Sequence, residues 1–121
     1  MTILSIDIDY SKVVNEYAKH NRLSIDKLLS DSRLKEDIML KRVLMYLTYK
    51  MVQQDVEEMK RKGMFIYISD TTIFQEIGKV FNLHFTNVKR NIYLCSTKFS
   101  HYKRLYNNIK SQISSNNFAM R

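Results

Sequence analysis

Proline and tryptophan are absent from the sequence, and glycine occurs only at Gly63 and Gly78. Sheet proteins reverse direction on Gly- and Pro-rich turns, so their near absence excludes a hairpin-rich fold and leaves an all-α one. A single cysteine, Cys95, excludes an intramolecular disulfide and a Cys-rich metal site. Its position among apolar residues marks it as a small core side chain, suited to a reducing cytosol. His20, His84 and His101 fall on separate elements and give no metal-ligand spacing. Apolar runs fall far short of the ~20 residues that a membrane helix needs, and the N-terminal residues lack a basic-then-apolar secretion signal. No Gly-rich Lys-Ser/Thr phosphate loop is present, and no carboxylates cluster near a nucleophile. The expectation is a non-enzymatic protein with no cofactor, no metal and no membrane partner. Acidic residues are also missing from a large part of the chain: the last is Glu76.

What is present is an ordinary globular balance. Hydrophobic residues make up 45% of the 121 and charged ones 26%, which is enough to bury one core without staples. The formal charge is +8, and its distribution is uneven. Residues 1–76 hold 12 Lys/Arg against 12 Asp/Glu, whereas residues 77–121 hold 8 Lys/Arg and no acid. A one-signed field on one end of a small domain suits a polyanion, bound through phosphate contacts and counterion release. Solubility or a basic tail would also produce it, but its coincidence with the pattern described next favours nucleic acid.

That pattern runs from Asp70 to Phe99. Ile73, Ile77, Val80 and Phe81 recur at helical spacing, with Asp70 as the expected N-terminal cap and Asn82 as the stop. A second helix restarts within a few residues, with Val88, Ile92, Cys95 and Phe99 on its buried side. Thr86, Asn87, Lys89, Arg90 and Asn91 lie opposite. Two short helices joined this closely describe a helix-turn-helix reader of DNA. An ordinary helical hairpin with a solvated charged face fits the same spacing equally well.

Before it, residues 1–9 alternate apolar and polar, as a short strand or an extended arm would. Helices are expected from Tyr10 to about His20, with Val13, Val14, Tyr17 and Ala18 inward, and again after Ser24, with Leu23, Ile25, Leu28 and Leu29 inward. The polar stretch 30–37 reads as a loop carrying Arg33 and Lys35. Asp37 then caps a long helix from about Ile38, with Lys41 and Arg42 near its start. Residues 53–62 read as its solvent-exposed continuation, with Glu57 and Glu58 spaced to pair with Arg61 and Lys62. Gly63 ends it, and the run 64–69 is strand-like. A last helix places Tyr102, Leu105, Tyr106, Ile109 and Ile113 on one face, and residues 114–121 are expected to fray.

In this order the residues resemble a known family, the C-terminal DNA-binding domain (domain IV) of the bacterial chromosomal replication initiator DnaA. The matching residues are Leu28-Leu29-Ser30, the basic loop with Arg33 and Lys35, Lys41-Arg42, and Leu44-Met45-Tyr46-Leu47. The family's Glu-Ile-Gly-x-x-Phe stands literally as Glu76 to Phe81, and its Thr-Thr-Val is echoed by Thr86-Asn87-Val88. The resemblance covers about residues 10–113. It departs from the family in the shorter turn Asn82-Leu83-His84-Phe85, which lacks the family's Asp and His, and in an insertion at about 53–69.

The resemblance implies a compact all-helical domain with a helix-turn-helix, of the initiator domain IV or Trp-repressor-like kind. It implies sequence-specific double-stranded DNA binding, in control of replication or transcription, by a cytoplasmic, nucleoid-associated protein of bacterial, phage or mobile-element origin. Arg33 falls where the family's loop arginine enters the minor groove, Lys41 and Arg42 where phosphates and bases are contacted, and Thr86 and Asn87 where the recognition helix faces the major groove. Lys35, Lys89 and Arg90 complete the expected DNA-binding set as phosphate neutralisers. The alternative is a protein-interaction module on the same scaffold, holding its partner through residues 53–69.

Overall fold

A computed structural model describes residues 8–64 and 66–113. Its element order is α1 (Lys12–His20), α2 (Ile25–Leu28), α3 (Lys35–Arg61), α4 (Asp70–Phe81), α5 (Phe85–Thr97) and α6 (Phe99–Gln112). The all-helical expectation holds among the described residues. Ile8 is a lone bridge position, and residues 64 and 66–69 carry no strand, so the strand-like reading of that run is corrected. The extended reading of residues 1–7 and the frayed tail at 114–121 lie outside the described residues.

The axis of the molecule is α3, whose 27 residues span about 40 Å at 1.5 Å per residue. It packs against α1, α4, α5 and α6. Val43, Leu44, Leu47, Met51 and Val52 are buried along it, each such side chain contributing ~1.5–3 kcal/mol by leaving water. Thr48 is fully buried among them and satisfies its hydroxyl by donating to the Leu44 carbonyl at 2.8 Å. Around this axis Val13, Val14 and Ala18 of α1, Ile73 and Ile77 of α4, Val88, Ile92 and Cys95 of α5, and Tyr102 and Ile109 of α6 close one core. Tyr49 stacks on Phe74 (5.3 Å) to join α3 to α4. Tyr46, Phe99 and Tyr106 form an aromatic cluster with ring centroids 5.2–6.0 Å apart, joining α3 to α6. The Asn21 amide donates to Gln112 Oε1 at 2.8 Å, so the end of α1 meets the far end of α6.

Several boundaries differ from expectation, each for a local reason. α3 starts at Lys35, not near Ile38, and Asp37 is not its cap. The Asp37 carboxylate instead accepts the Ser32 hydroxyl at 2.6 Å, tying the first turn back to the loop. α4 is capped by Ser69, whose Oγ accepts the Thr72 N–H at 3.2 Å. Asp70 sits in the first turn, where its charge still complements the helix dipole. The stretch 53–62 continues α3 as far as Arg61 and is exposed over most of its length, as expected, but Asp55 and Val56 within it are buried. Of its expected ion pairs Glu58–Lys62 forms, at 3.8 Å on an exposed face. Leu23 is 37% exposed and not inward. α5 and α6 are separate helices, broken at Lys98 (φ −113°, ψ 38°).

Candidate nucleic-acid interface

The joint between α4 and α5 is three residues long, Asn82, Leu83 and His84, and each has a defined task. Asn82 takes the left-handed conformation (φ 56°, ψ 47°) that ends α4, as its residue type suggested. Leu83 donates its N–H to the Gly78 carbonyl at 2.9 Å. This close return explains Gly78: an added Cβ would stand 2.4 Å from the Leu83 carbonyl oxygen. His84 caps α5, its Nδ1 accepting the Thr86 N–H at 3.3 Å and lying 2.8 Å from Thr86 Oγ1. That side chain fixes the first turn of α5, a role the sequence did not single out.

At 3.6 residues per turn, α5 separates cleanly into two sides. Val88, Ile92 and Cys95 are buried, while Thr86, Asn87, Lys89 and Arg90 are exposed. Tyr93, 65% exposed, continues the stripe of Thr86 and Arg90 one turn on, and Thr97 ends it. Burial pushes the Cys95 thiol up to about 11 against a smaller opposing effect of Arg42, so it is an unreactive core group.

The other four expected residues divide in two. Arg33 and Lys35 are exposed at the start of α3. Lys41 and Arg42 are half-buried and engaged within the fold. The Lys41 ammonium donates to the Ser30 carbonyl. Arg42 donates through Nε to Asn91 Oδ1 at 2.8 Å and through Nη1 to the Tyr102 hydroxyl at 2.6 Å, with its guanidinium 5.9 Å from the Tyr102 ring centroid. Asn91 in turn donates to the Asn87 carbonyl at 2.8 Å. A side chain on α3 thus fixes α5 one turn beyond Asn87, and fixes α6 as well.

Two clefts flank this tie. One, of about 440 Å³, brings the loop residues Asp31 and Ser32 beside Lys41, Asn91 and the turn at Asn82 and Leu83. Asp31 is its acidic group. The second, of about 450 Å³, gathers Arg33, Lys35 and Arg42 with Lys98 and His101. The structure therefore brings the α3 cations together with two residues the sequence reading passed over. Their only sequence signal was their place in the acid-free stretch, three apart at the start of α6. Among the described residues no group of three or more His, Cys, Asp or Glu could hold a metal ion. No described helix is long and apolar enough to cross a membrane.

Comparison of the chain with family models, with curated proteins and with solved structures gives no match.

Proposed function

We propose that this chain is a helix-turn-helix protein that binds double-stranded DNA sequence-specifically, with α4 and α5 as its two motif helices, in the manner of the initiator domain IV it resembles. The observation that carries the reading is the exposed side of α5, where Thr86, Asn87, Lys89 and Arg90 stand together with no acid anywhere on the helix. A helix with its side chains is about 10–12 Å across, and the major groove is about 12 Å wide. In this reading the first turn of α5 enters the groove. Asn87 pairs with an adenine edge, Thr86 meets a neighbouring base, and Lys89 and Arg90 neutralise phosphates. Arg33 and Lys35 reach for the backbone that borders the minor groove. Lys41 and Arg42 set the angle of the loop and of α5, adding charge rather than a mobile contact.

The test is selection from a random-duplex pool followed by affinity measurement across salt. Wild type is expected to bind with log K falling linearly in log salt, and changing Lys89 and Arg90 together to Ala should flatten the slope by about 1.8, or 0.9 per lost phosphate contact. Asn87→Ala should lose ~1–3 kcal/mol on the selected site and little on unrelated duplex. A wild type that binds no duplex at low salt ends the proposal. The second reading, a protein-interaction module, draws on Tyr67, 81% exposed, and Met64, 39% exposed, beside the end of α3. Under it Tyr67→Ala abolishes partner capture, and the α5 variants leave it intact.

A further inference from the structure

We propose that the cleft between the start of α3 and the α5–α6 junction is a phosphate site, taking a backbone phosphodiester of the bound duplex, with Lys98 and His101 as contacts beside Arg33 and Lys35. The cleft holds about 450 Å³ and is lined by five basic side chains: Arg33, Lys35, Arg42, Lys98 and His101. Its remaining lining is Ile38, Met39 and Tyr102, so no described carboxylate faces it. The acids nearest in sequence are turned aside. Lys35, Ile38, Met39 and Arg42 form one helical stripe into the cleft, while Glu36 and Asp37 lie off that stripe, and Asp37 is bonded to Ser32.

Gathering like charges without an acid is unfavourable unless an anion joins them. The arrangement is also preorganised. Arg42 is held by Asn91 and the Tyr102 hydroxyl, which fixes one cationic wall of the cleft before any ligand arrives.

The choice of a duplex phosphate rests on the DNA-binding reading and on distance. Lys98 lies eleven residues beyond Asn87 along α5, about 16 Å at 1.5 Å per residue. With the first turn of α5 in a major groove about 12 Å wide, the far end of that helix reaches the strand bordering the groove. The Arg42–Asn91 bond ties that wall of the cleft to the α5 face itself.

The experiment measures fluorescence anisotropy of a labelled random-sequence duplex across salt, for wild type, Lys98→Gln, His101→Gln and Lys19→Gln. Lys19 is the control, because α1 ends at the opposite end of α6, where Asn21 bonds Gln112. Lys98 and His101 are exposed, so their variants should melt with wild type. Lys98→Gln should flatten the slope of log K against log salt by about 0.9, with Lys19→Gln unchanged. His101→Gln should weaken binding several-fold. Equal slopes for Lys98→Gln and Lys19→Gln overturn the cleft site and leave the α5 reading standing. If wild type binds no duplex, the DNA reading is what fails, and a pyrophosphate titration followed by amide NMR decides the cleft alone. Shifts at Arg33, Lys98 and His101 that vanish in Lys98→Gln would then assign it to a free phosphate ligand, and no shifts would overturn it.

Discussion

Gly78 is the residue on which the α4–α5 joint depends most directly. A Cβ there would meet the Leu83 carbonyl oxygen at 2.4 Å and Val88 Cγ2 at 3.6 Å. The first is a backbone atom of the turn and has no rotamer to escape into. Ala would gain up to ~1 kcal/mol of helix propensity over Gly, yet overpacking costs ~1–3 kcal/mol and occasionally more. The clash should win, because relieving it means moving the turn that Leu83 closes on the Gly78 carbonyl. Gly78→Ala is expected to lower Tm by roughly 5 °C, at a few degrees per kcal/mol for a domain of this size. A variant that melts with wild type would mean that the turn is not held as close as described. The sequence displayed Gly78 inside Glu76 to Phe81, and Asn82 as a stop, because those residue types carry their backbone preferences with them. The reason for Gly78 was not legible, since it lies in the carbonyl of a residue five positions on. His84 was equally opaque, because a histidine that caps a helix has the same local signature as any exposed one.

At the scale of helices, the governing feature is how α3 holds α5 and α6. Arg42 joins the three through Asn91 and the Tyr102 hydroxyl, at sequence separations of 49 and 60. Replacing it with Met keeps the stem but leaves both acceptors without that donor, which costs ~1–3 kcal/mol. Arg42→Met should therefore lower the urea midpoint and also weaken duplex binding. Arg42→Lys, which keeps the charge, should not restore stability, because an ammonium does not reproduce two bonds in a planar fork. If Arg42→Lys were as stable as wild type, the residue would be a surface charge and its proposed positioning role would fall. No periodicity could have revealed this tie, because pairing at such separation leaves no local pattern. The helices themselves were legible: the stripes Val13–Val14–Ala18, Leu44–Leu47–Met51 and Val88–Ile92–Cys95 are the buried faces observed. Boundaries slipped where two residues competed for one task. Ser69 outdid Asp70 as the α4 cap, and Ser32 drew Asp37 away from the start of α3. The stretch after Val52 is charge-rich and mostly exposed, and its two buried residues, Asp55 and Val56, were not legible because a carboxylate among charges gives no inward signal.

Across the whole molecule, charge sets two equilibria against each other. The stretch 77–121 carries eight cations and no acid, and α5 and α6, which occupy most of it, pack against one another. Repulsion within that stretch opposes folding. Raising the ionic strength from about 0.01 M to about 0.1 M shortens the Debye length from about 30 Å to about 10 Å, which screens most of it. The same salt weakens the exposed pairs Glu58–Lys62 and Glu76–Lys79, but such pairs are worth at most ~1 kcal/mol each. Folding stability is therefore expected to rise over this range, seen as a higher Tm. Duplex affinity should move the other way, because a footprint of about five phosphates loses more than ten-thousandfold over a tenfold rise in salt. Opposite signs in one buffer series, Tm rising while binding falls, are what a single concentrated cationic face produces. A Tm that falls with salt would mean that attraction outweighs repulsion in the free protein. The cations would then lie too far apart, or too well paired, to act as one surface on a phosphate backbone.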